Sequence, residues 1–105
     1  METTFKFTKT DTKSVLTCTT SLIPALTGAS AVIACILIDN ANEIIPRSYI
    51  SEITHSQKEH DYFVQRSLDV NYHKAKKYLT ELGHVVIRHR GAGIQLLCTE
   101  KLELT

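Results

Sequence analysis

Tryptophan is absent from this 105-residue chain, and proline occurs only as Pro24 and Pro46. Glycine occurs four times, which excludes a collagen-like repeat. Cysteine is sparse: Cys18, Cys35 and Cys98 are odd in number and scattered among apolar neighbours. They match no disulfide framework and no zinc spacing, so they read as small hydrophobes of a reducing, cytoplasmic protein. Repeats and low-complexity tracts are also missing. Against these absences stand 43% hydrophobic and 22% charged residues, the composition of one globular domain.

The net charge of +1 hides an uneven distribution. Residues 1–39 are neutral and residues 40–70 carry an acidic excess. Residues 71–93 hold Lys74, Lys76, Lys77, Arg88 and Arg90 against Glu81 alone, and they also contain His73, His84 and His89. A basic block in a nearly neutral protein points to a polyanionic partner.

Charge is lacking altogether between Lys13 and Asp39. The run is long enough to span a bilayer. Ala29-Ser30-Ala31 is similar to a signal-peptidase site, with Lys6, Lys9 and Lys13 upstream. Ser and Thr crowd its first half, however, and Pro24 and Gly28 interrupt it. The spacing instead predicts a Thr-rich leader, a turn near Leu26-Thr27-Gly28 and a buried helix over 29–41 capped by Thr27 or Ser30. Membrane insertion or processing of residues 14–38 is the minority alternative.

Residues 1–12 read as a frayed arm or a short edge strand. Ile44-Ile45-Pro46 is extended, because a residue before proline is driven from the helical region. Pro46 then opens a helix over 47–54. Residues 55–60 link or extend it, and Asp61 caps a third helix with Tyr62, Phe63, Val64 and Leu68 on its apolar side. Asp69-Val70-Asn71 reads as a break with Val70 buried in the turn. Asn71 caps a fourth helix that runs to Leu82 and stops at Gly83. Residues 85–90 and 94–98 form strands about Gly91-Ala92-Gly93, a hairpin signal. Residues 101–105 are expected to fray.

In the fourth helix, Ala75, Tyr78, Leu79 and Leu82 share one face, while His73, Lys76, Lys77 and Thr80 share the other. This layout resembles the helix-turn-helix of winged-helix DNA-binding proteins, and the hairpin resembles their wing. The likeness covers residues 61–98 well and 29–54 loosely. It implies a mainly α fold with a small β-hairpin, the winged helix-turn-helix. Residues 1–20 would be an N-terminal arm and residues 21–105 a single winged-helix domain.

The resemblance implies a small DNA-binding transcriptional regulator. Helix 71–82 would enter the major groove, and the wing 85–98 would follow the backbone or minor groove. The contacts expected are Asn71, Tyr72, His73, Lys76, Lys77, Thr80, Arg88 and Arg90. Double-stranded DNA would be bound by a homodimer joined through the helix 29–41 or the arm 1–20. A winged-helix adapter between proteins, without DNA binding, is the alternative. No catalytic constellation stands out, so neither an enzyme nor a cofactor is expected. His55, His60 and His73 match no metal spacing. Gly91-Ala92-Gly93 lacks the further glycine and following helix of a phosphate loop.

Overall fold

The computed structural model describes residues 2–10, 13–50, 62–98 and 101–105. The end of the expected helix 47–54, the link 55–60 and the Asp61 cap lie outside the described residues. Strands β1 (Glu2–Lys9), β2 (Ser14–Cys18) and β3 (Leu26–Thr27) come first. Helix α1 (Ala29–Asp39) and strand β4 (Ile44–Ile45) follow. Helix α2 is described over residues 47–50. Helix α3 (Tyr62–Glu81) then leads to β5 (Val85–His89), β6 (Gly93–Leu97) and β7 (Lys101–Leu104).

Two sheets are present, ordered β3-β2-β1-β7 and β4-β6-β5. Strand residues are nearly as numerous as helical ones, so the protein is α+β, not a mainly α fold with one small hairpin. The helix-turn-helix placed at Asp69-Val70-Asn71 is absent as well. Helix α3 runs straight through it. Leu68, Tyr72, Ala75 and Leu79 are all buried at spacings of four and three, and a turn would put Leu68 out of phase with the rest. Val70 faces outward at 48% exposure rather than filling a turn. Arg47 Nη2 pairs with Asp69 Oδ1 at 2.8 Å, tying the start of α2 to mid-α3.

Alternation of apolar and polar side chains builds the first sheet. Phe5 pairs with Cys18 and Phe7 with Leu16, which places these apolar side chains on one face. Phe5, Leu16 and Cys18 are buried there, whereas Lys6 and Thr17 face outward. β1 is an inner strand, flanked by β2 and by the parallel strand β7. Residues 101–104 are therefore paired rather than frayed. Thr105 N–H donates to the Phe5 carbonyl at 3.0 Å, and Phe7 N–H donates to the Thr105 carbonyl at 3.0 Å.

The uncharged run is explained by β2, β3 and α1. Ala31, Ile33, Ala34, Leu37 and Ile38 of α1 are buried between the first sheet and α3. This helix forms the centre of the core, with eight of its eleven residues buried. Eleven residues rise about 16 Å, half a bilayer core. No described helix is long and apolar enough to cross a membrane. Neither expected cap is used: Gly28 takes the N-cap position with φ 74°, while Ser30 Oγ donates to the Thr27 carbonyl at 2.7 Å. Asn40 ends α1, its Nδ2 donating to the Ile36 carbonyl at 2.8 Å.

The second sheet carries Val86, Ile94 and Leu96 inward and Val85 and Leu97 outward. Asn42 extends it beyond β4. Its Nδ2 donates to the Cys98 carbonyl at 3.1 Å, and its Oδ1 accepts from Cys98 N–H at 2.9 Å. Asn42 does this at φ 71°, a backbone region that asparagine tolerates better than most residues.

Candidate nucleic-acid interface

Helix α3 packs its stripe against α1 and β5, so its other face meets solvent. His73, Lys74, Lys76, Lys77 and Thr80 are exposed there. At 100° per residue, His73, Lys76, Lys77 and Thr80 fall within about 100° of arc. Tyr72 lies between the buried stripe and this arc. It marks the side of α3 that faces the hairpin, because it lines one cavity together with Arg88 and the hairpin turn. Tyr78, on the opposite flank, faces Cys18 and Cys35.

Strand register explains how Arg88 comes to α3. Arg88 pairs with Ile94, and paired residues point to one side of a sheet. Ile94 faces the core, so Arg88 leaves the sheet on the α3 side, beyond the core's end. Arg90 lies in the turn and is exposed. Ala92 N–H closes this turn on the His89 carbonyl at 2.9 Å. His89 belongs to the outer face, where its Nε2 lies 2.7 Å from Gln95 Oε1, and Gln95 Nε2 donates to the Asn42 carbonyl at 2.7 Å. An amide oxygen only accepts, so His89 Nε2 carries the proton in this bond.

Six of the eight expected contact residues therefore lie on two touching elements with exposed side chains: His73, Lys76, Lys77 and Thr80 on α3, and Arg88 and Arg90 on the hairpin. The other two do not. Tyr72 is only 5% exposed, and burial raises its phenol pKa although Arg88 opposes the shift. Asn71 is half-buried in mid-helix rather than at a helix start. The spacing of four between Leu68 and Tyr72 already placed Tyr72 in the stripe.

Among the described residues, Lys74, Lys76, Lys77, Arg88 and Arg90 make no ion pair, whereas Arg47 is engaged by Asp69. The sequence places Arg and His residues across the hairpin from Cys98, and the structure singles out one of them at the far end from the turn. Cys98 Sγ lies 3.6 Å from Nδ1 of the buried His84, and only pairing of β5 with β6 brings them together. No group of three or more metal-ligating side chains gathers among the described residues. No protein family, curated protein or solved structure matches the chain.

Proposed function

We propose that the protein is a DNA-binding regulator that holds duplex DNA between the outer arc of α3 and the β5–β6 hairpin. The observation that carries this reading is the run of exposed cations, free of carboxylate partners among the described residues, on two elements packed together. An α-helix fits the major groove, where His73, Lys76, Lys77 and Thr80 reach base edges and phosphates. Arg88 and Arg90 then follow the backbone or enter the minor groove. Tyr72 holds the helix in place from inside. The reading is of a non-enzymatic cytoplasmic protein, consistent with three free cysteines.

A homodimer gives such a small domain two half-sites about 34–36 Å apart. Since α1 is buried, the surface that suits a second copy is the outer face of β4-β6-β5, where Ile44, Val85 and Leu97 are 45%, 54% and 37% exposed. The same apolar face is the observation that favours the adapter reading, in which a different protein covers it.

Binding to a labelled random-sequence duplex at two salt concentrations tests the proposal. Engagement of most of the five cations gives a log–log salt slope of roughly −3 to −5. Lys76→Glu with Lys77→Glu abolishes binding in a folded protein. Unchanged affinity in that variant, or no binding by the parent at low salt, refutes it and leaves the adapter reading.

A further inference from the structure

A cavity of about 350 Å³ opens between α1, the start of α2, α3 and the hairpin turn. That volume is at the lower end of small-molecule sites. Ile33, Ile50, Leu68 and Ile94 give it an apolar floor. The polar residues at its wall are Arg47, Ser48, Tyr72, Arg88 and His89.

Charge and hydrogen bonding narrow what the cavity accepts. Arg47 is paired with Asp69 at 2.8 Å, and among the described residues no carboxylate pairs with Arg88. The Tyr72 hydroxyl oxygen is itself buried, with no hydrogen-bond partner among the described residues, so it stands behind the wall rather than in the opening. A planar guanidinium matches a carboxylate, and the floor matches an apolar body. The wall is stiff on the hairpin side. Gly93 lies so close to the Ile45 carbonyl that a Cβ there would stand 2.1 Å from its oxygen.

We propose that this cavity binds a small organic monocarboxylate with an apolar or aromatic body, its carboxylate held by Arg88 and its body lying on Ile33, Ile50, Leu68 and Ile94. The ligand acts as an effector. A carboxylate on Arg88 removes that side chain from DNA and sets a negative charge beside α3, so occupancy weakens duplex binding. This second step rests on the DNA-binding reading; the site itself does not.

The test is titration of the full-length protein with benzoate, benzamide, acetate and inorganic phosphate, read by amide chemical shifts and melting temperature. Benzoate binds saturably, shifts residues of the hairpin turn and of α3 near Tyr72, and raises the melting temperature. Benzamide, which lacks the charge, and acetate, which lacks the body, each bind at least about tenfold more weakly. Arg88→Gln costs benzoate about tenfold and leaves benzamide unchanged. Saturation failing below 10 mM benzoate, on the order of the weakest useful affinity, overturns the site. So does equal binding of benzoate and benzamide, or phosphate matching benzoate. Benzoate binding in a protein that ignores duplex DNA upholds the site and overturns the DNA-binding reading alone. Benzoate and duplex bound together without mutual weakening overturn the effector role.

Discussion

Replacing Gly93 by alanine attacks the joint between the hairpin and the rest of the fold. Gly93 has φ 145°, which side chains with a Cβ rarely adopt. A Cβ built there stands 2.1 Å from the Ile45 carbonyl oxygen and 2.7 Å from its carbon. Reaching even 3.0 Å requires a shift of nearly 1 Å, and the obstacle is backbone held by the Ile45–Ile94 pairing. Backbone strain of this kind costs about 1–3 kcal/mol. Overpacking against a fixed wall costs about as much again. The expected loss is about 3–5 kcal/mol, a large share of a small domain's stability of about 5–15 kcal/mol. Gly91→Ala is the control. Gly91 has φ 79° with open space around it, so alanine there costs only the left-handed penalty of about 1–2 kcal/mol. Urea unfolding followed by circular dichroism measures both variants. If Gly93→Ala is no less stable than Gly91→Ala, the close approach of β6 to Ile45 is wrong.

Asn42→Ala loses two hydrogen bonds to Cys98 and places a Cβ residue at φ 71°, at an expected cost of about 1–3 kcal/mol. Asn42→Gly keeps the backbone freedom and is the less damaging change; the reverse order in urea midpoints contradicts this account. Burial pushes the Tyr78 phenol from 10 up to about 12, with Cys18 and Cys35 adding to it, and burial with Asp39 pushes the Cys35 thiol from 9 up to about 12. The unfolded chain releases these protons first, so stability falls as pH rises from 9 to 12. The fall is smaller in a Tyr78→Phe, Cys35→Ala variant, and an identical fall there refutes the assignment. In the native protein, a thiol reagent at neutral pH modifies Cys98, which is half-buried, before Cys35; mass spectrometry of the labelled peptides shows the order. Val85→Lys on the outer sheet face shifts sedimentation from dimer to monomer, and a monomeric parent protein sinks the proposed dimer surface.

Local signals were legible in the residues themselves. Pro46 ends an extended pair and opens a helix, Asn40 closes α1, and β-prone runs flank Gly91 and Gly93. Each depends on neighbours within a few positions, which is the range over which backbone sterics and capping act. The same holds for the exposed arc His73, Lys76, Lys77 and Thr80, since a helix repeats every 3.6 residues wherever it lies. Asp69-Val70-Asn71 misled because each residue is a weak helix former, and propensity counts for less than burial of a continuous stripe. The Leu68 to Tyr72 spacing was the signal to weigh instead.

What the chain itself determined, then, is that a helix follows Gly28, that another opens at Pro46, that a hairpin turns about Gly91 and Gly93, and which side of α3 is apolar. Tertiary structure decided that residues 2–9 form an inner strand. That depends on Glu2–Phe5 pairing in parallel with Lys101–Leu104 across nearly the whole chain. It also decided that Tyr72 is buried and that Arg88 stands beside it. Contacts between residues so far apart leave no periodicity to read, because their partners are chosen by how the assembled elements pack rather than by local backbone preference.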